Sequence, residues 1–148
     1  IDIDVSKQGS ENCFSVINYT KVYFDNDEEA LALEVKGNKD VGVYIGLGDR
    51  KLKTEDYSKL IISYMLPKTN SQGEYSCCLY FQTDESGDLS ETSSVYGKLT
   101  VDGKYHTIVI DLSSKATWKG IIKNLRFDYF QSNNANGDVM FIKSITLK

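Results

Sequence analysis

The chain is written almost throughout in period two. Residues 104–112 place Ile108, Ile110 and Leu112 at every second position, with Thr107, Val109 and Asp111 between them, the pattern of a strand with two different faces. Residues 125–130 repeat it, with Leu125, Phe127 and Tyr129 alternating with Arg126, Asp128 and Phe130. Shorter runs at 1–5, 14–17, 21–25, 30–36, 41–47, 59–66, 74–83, 95–101 and 139–147 bring the expectation to ten or eleven strands separated by turn residues. Asp102-Gly103 reads as a tight hairpin turn, and the polar stretch 84–94, DESGDLSETSS, as a flexible loop. Residues 113–123, SSKATWKGIIK, are too short and too polar for a stable helix, so Trp118 is expected to anchor a loop against the sheets. Many short strands without helices predict an all-β, antiparallel β-sandwich. No repeat or linker divides the sequence, so residues 1–148 are expected to form a single domain.

The same period assigns faces. If Leu79 and Phe81 enter the core, Tyr80 and Gln82 look outward; Tyr105 and Thr107 form a second outward pair, Arg126 and Asp128 a third. Residues 41–47 put Gly42 and Gly46 beside Tyr44 on one side, where another backbone or a ligand has room to approach. Tyr44, Tyr96 and Phe130 are further aromatic candidates whose face depends on register.

Composition narrows the partners. No apolar run approaches the ~20 residues of a membrane span. A net charge of −4 and a pI near 5.0 argue against a general phosphate-backbone binder, which needs clustered Lys and Arg; neither membrane nor nucleic acid is an expected partner. Cys77 and Cys78 face opposite ways in a strand and cannot both meet Cys13, so at most one disulfide is available; with no C-x-x-C and no cysteine–histidine spacing of a zinc site, buried free thiols are expected. The acidic run 25–29 reads as a solvated turn, and is the first place to look for a cation. The one histidine, His106, shares strand parity with Ile108 and Ile110 and reads as a packed sheet residue. No turn presents a serine nucleophile and no carboxylate pair stands out, so the chain is not expected to be an enzyme and no catalytic residue is nominated.

Three stretches carry a resemblance: DGKYHTIVIDLS, WKGIIKNLRFDYF and GDVMFIKSITL. Over about residues 57–148 they resemble the C-terminal half of the galactose-binding-like jelly rolls that serve as non-catalytic carbohydrate-binding modules. Tyr105 stands where the pattern has tryptophan. Lys143 stands where related modules carry an aspartate that helps to hold a structural calcium ion; calcium is the one cofactor the resemblance raises, and Lys143 weighs against it. The resemblance implies binding to a plant cell-wall-type polysaccharide such as a β-glucan, mannan or xylan. It also implies attachment to a glycoside hydrolase or surface protein, and a secreted or cell-surface location. The first residues lack the features of a signal peptide, so the sequence is expected to be trimmed, either to a mature protein or to one module of a longer multimodular protein.

A sugar ring offers apolar C–H faces and a rim of hydroxyls, which call for a flat aromatic ring and polar tips. On that chemistry Tyr80 and Tyr105 are the stacking candidates and Gln82, Arg126 and Asp128 the hydrogen-bonding ones, with Arg126–Asp128 pairing across the sheet as the alternative for those two. Trp118 is a sixth candidate, with burial as its alternative. The competing function is a structural or protein-interaction β-sandwich within a multimodular extracellular protein.

Overall fold

The computed structural model describes residues 1–5, 9, 13–37 and 40–148. Among the described residues, eleven strands build two antiparallel sheets. One has the order β3 (Thr20–Asp25), β4 (Ala30–Val35), β11 (Val139–Leu147), β6 (Lys59–Met65) and β9 (Tyr105–Asp111), with β1 (Asp2–Asp4) also paired to β11. The other has the order β2 (Phe14–Asn18), β5 (Gly42–Ile45), β10 (Ile122–Asp128), β7 (Tyr75–Thr83) and β8 (Ser94–Leu99). From β4 onward nearly every connection crosses from one sheet to the other, the topology of a jelly roll.

Alternation decides what fills the space between the sheets. Leu31 and Leu33 of β4, Leu60 and Ile62 of β6, and Ile142 and Ile145 of β11 meet Val43 and Ile45 of β5, Leu79 and Phe81 of β7, and Leu125 and Phe127 of β10. Each such fully buried side chain contributes about 1.5–3 kcal/mol relative to its exposed state. Cys77 belongs to this core, and Cys78 lies on the opposite face of β7; Cys13, Cys77 and Cys78 are all free thiols.

The expected hairpin at Asp102-Gly103 is a correction. β8 has its pairing edge on β7 and β9 has its own on β6, so the turn carries the chain between sheets. Gly103 takes φ +74° there and donates its N–H to the Leu66 carbonyl at 3.0 Å. The loop after β7 is held by its own hydroxyls: Thr83 Oγ1 accepts from the Glu85 and Ser86 N–H groups, and Ser93 Oγ donates to Thr117 Oγ1. Asp25 Oδ1 caps the acidic turn by accepting from the Asp27 and Glu28 N–H groups.

No helix among the described residues is long and apolar enough to cross a membrane.

Candidate functional site

Pairing register, which a single strand cannot reveal, brings the outward residues of the five-stranded sheet into rows. Ser15, Tyr44, Arg126, Tyr80 and Ser94 are successive Cα partners from β2 to β8. Beside them Asp128, Cys78 and Tyr96 form a second row, and Asn124 and Gln82 a third. At a strand spacing of ~4.8 Å the longest row spans about 19 Å.

Arg126 organises this face. Its Nε donates to Asp128 Oδ1 at 2.7 Å and its Nη2 to Oδ2 at 3.1 Å, a two-pronged fork between neighbours on the same side of β10. The guanidinium carbon lies 5.6 Å from the centre of the Tyr80 ring. Gly42 makes room for the fork, because a Cβ there would lie 2.5 Å from Asp128 Oδ1. Burial raises the Asp128 carboxyl above its ordinary value, outweighing the opposing pull of Arg126. The fork in turn holds the Arg126 proton more tightly.

Glu91 closes the other side. Tyr80 donates its hydroxyl to Oε1 at 3.1 Å and Tyr96 donates to Oε2 at 2.9 Å, so one carboxylate pins two rings. The bond to Glu91 raises the Tyr96 hydroxyl pKa; burial is the leading cause at Tyr80, which is also raised. Tyr96 remains 53% exposed. Asn124 Nδ2 donates to Gln82 Oε1 at 2.7 Å and completes a polar margin. The arrangement offers rings, amides, a guanidinium and carboxylates on one accessible surface, and it holds no nucleophile poised beside a base.

Four of the six binding candidates, Tyr80, Gln82, Arg126 and Asp128, therefore share one face, and the further candidates Tyr44 and Tyr96 join them. Tyr105 does not join them. It sits on β9 in the other sheet, with its hydroxyl donated to Glu28 Oε2 at 3.4 Å and the Lys143 ammonium 4.5 Å from its ring centre. Trp118 is 7% exposed, packs edge-on to Phe81 at 4.9 Å between centroids, and donates its indole N–H to the Tyr57 carbonyl at 2.8 Å. Phe130 is buried at 2% exposure. His106 bonds through Nε2 to Asp102 at 2.9 Å. Asn124, whose parity with Arg126 and Asp128 was legible, and Glu91, which no pattern marks, are the members that sequence reasoning missed.

Comparison with solved structures gives the fold a context. A family 28 carbohydrate-binding module described as specific for non-crystalline cellulose is similar with a TM-score of 0.69, at 13% identity over 99% of this chain and 92% of that one. A family 29 module, in a variant made to probe ligand recognition, is similar with a TM-score of 0.63, at 13% identity over 98% and 89%. A family 86 module from Roseburia intestinalis, described as binding xylan with low affinity, is similar with a TM-score of 0.59, at 11% identity over 93% and 90%. The chain has the β-sandwich fold of these modules. No family model matches the sequence, and no curated protein matches it.

Proposed function

We propose that the outward face of the five-stranded sheet binds polysaccharide without transforming it, and that the module thereby holds an attached enzyme or surface protein close to its substrate. The observation that carries this reading is the partly exposed row Tyr44–Arg126–Tyr80, flanked by the half-exposed Tyr96, on the outward face of the sheet. Rings take the C–H faces of sugars and the polar tips take hydroxyls. Tethering then raises the local substrate concentration for a partner domain without new chemistry. A plant cell-wall-type β-glucan, mannan or xylan is the ligand class, and a secreted or cell-surface protein is the setting.

The fold neighbours support the reading. The family 29 module was altered at an arginine and at an aspartate two positions further on in order to probe ligand recognition, the same spacing as Arg126 and Asp128.

Affinity electrophoresis through gels containing soluble β-glucan, mannan or xylan tests it. Retardation by at least one glycan is expected, and Tyr44→Ala, Tyr96→Ala and Arg126→Ala each weaken it. Absence of retardation across the panel, or retardation untouched by all three substitutions, rejects it.

A further inference from the structure

At the far end of β10, beside the Arg126–Asp128 fork, a pocket of about 260 Å³ is lined by Asp40, Asp128, Gln131, Ser132, Asn133 and Asn134. Its chemistry differs from that of the face next to it. Two carboxylates, three amides and a hydroxyl line it, its one aromatic ring, Phe130, is otherwise buried, and none of its described lining residues is cationic. The wall is fixed rather than loose: the Gln131 N–H donates to the Ser76 carbonyl at 2.8 Å, and Ser132 Oγ accepts from the Ser76 N–H at 3.0 Å, tying this segment to the start of β7.

Asp128 belongs to both regions. It is 5% exposed, it forks with Arg126 on the face, and it lines the pocket. A glycan laid along Tyr44–Arg126–Tyr80 runs across the strands, whereas the pocket is reached along the strand direction, past Asp128. A backbone on the row therefore passes the pocket by, and only a group projecting sideways from it enters. Scarce apolar surface means that such a group is held by hydrogen bonds to its hydroxyls and not by stacking. Asp40 and Asp128 both line that space, and Arg126, which forks with Asp128, is not among the lining residues, so an acidic group is repelled.

Resting on the function proposed above, we infer that this pocket is a side-branch subsite: it takes a single neutral sugar carried as a branch on a β-linked polysaccharide whose backbone lies on the five-stranded sheet, and it disfavours a uronic acid in the same place. Calorimetric titration with cello-, manno- and xylohexaose identifies the backbone. The preferred one is then compared with the same backbone bearing one neutral branch, and with one bearing a glucuronate branch.

The neutral branch is expected to tighten binding about fivefold, the equivalent of one net hydrogen bond, and the glucuronate branch to give no gain. The exposed pair Gln131→Ala with Asn133→Ala removes the gain and leaves the linear ligand unchanged. Asp40→Asn narrows the gap between the two branched ligands. Equal affinity for linear and neutral-branched ligands, or a gain that survives the double substitution, overturns the subsite while leaving the binding face intact. If none of the hexaoses nor their branched forms binds, the binding face itself is rejected, and the subsite with it.

Discussion

Each sheet carries, on the side turned away from the core, a row of side chains that crosses five strands, and the two rows end up in opposite states. In the six-stranded sheet the row is Tyr23, Ala32, Phe141, Met65 and Tyr105. Phe141 and Met65 are only 8% and 6% exposed, and the two tyrosines pack against the patch they form with Ala30 and Ala32. Glu34 and Glu28 take the tyrosine hydroxyls. In the five-stranded sheet Arg126 occupies the middle of the row between Tyr44 and Tyr80. A guanidinium cannot be sealed over without large cost, so that face stays open. Tyrosines flank both rows; what stands between them decides which surface is available to a ligand.

Substitutions that separate stability from binding break or sharpen this contrast. The largest effect is expected from Phe141→Ala, which should cost about 3–5 kcal/mol of stability in urea unfolding while glycan affinity, measured well below the melting temperature, stays the same. A fall in affinity would mean that the closed face takes part in binding. Arg126→Ala should lower affinity about 10- to 100-fold, in keeping with a loss of 1.5–3 kcal/mol for a charged hydrogen-bonding group. It also leaves Asp128 buried without its partner, so a smaller stability loss of about 1–3 kcal/mol accompanies it. Gly42→Ala is a finer probe, because it keeps both members of the fork and only displaces Asp128 Oδ1, which would lie 2.5 Å from the new methyl group. About a tenfold loss of affinity, the equivalent of 1.4 kcal/mol, is expected in the same titration, and unchanged affinity would show that the fork's position is unimportant.

The sequence carried the architecture because that rests on a local signal. Period-two alternation over residues 59–66, 74–83, 104–112 and 139–147 located β6, β7, β9 and β11 within a residue or two. Parity also put Tyr80, Gln82, Arg126 and Asp128 on outward faces, where they lie. Parity cannot say which sheet a strand joins. Tyr105 has the same outward phase as Tyr80, but β9 pairs with β6 and β7 with β10, and the two residues end on opposite sides of the molecule. The Asp102-Gly103 turn misled for the same reason: turn chemistry fixes a reversal of direction, and partner choice is settled by contacts distant in sequence. Glu91 was illegible because its role depends on Tyr80 and Tyr96 meeting across two strands, with nothing in the polar loop to mark it.

Tyr96 and Tyr105 allow the comparison to be drawn at a single residue type. Tyr96→Ala should weaken glycan binding several-fold and change stability by less than about 0.5 kcal/mol, as for other surface substitutions. Tyr105→Ala should do the reverse, losing about 1–2 kcal/mol of stability with affinity unchanged. Differential unfolding and calorimetry on the same samples separate the two outcomes, and equal effects on binding would erase the distinction between the faces.

The smallest expected effect is the share of the alkaline pH dependence that the closed face contributes. Burial, followed by the nearby carboxylates of Glu34 and Glu28, pushes the Tyr23 and Tyr105 hydroxyls up to about 12. An unfolded tyrosine titrates near 10. Because the folded value is the higher one, the stability linked to these groups is fully present below about pH 10 and is lost as pH rises from there through about 12. Urea midpoints between pH 9 and 11.5 should therefore fall, and fall less steeply in Tyr23→Phe with Tyr105→Phe. The remainder comes from Tyr129 and Tyr80, whose hydroxyls are raised further by burial, and from the buried thiols of Cys77 and Cys78, pushed up to about 12 and about 11. Tyr96→Phe should leave the slope nearly as it was, since Tyr96 is raised mainly by one bond to Glu91 at an exposed site where solvent screens the interaction. A slope that followed Tyr96 and ignored Tyr23 and Tyr105 would reverse the assignment of open and closed faces.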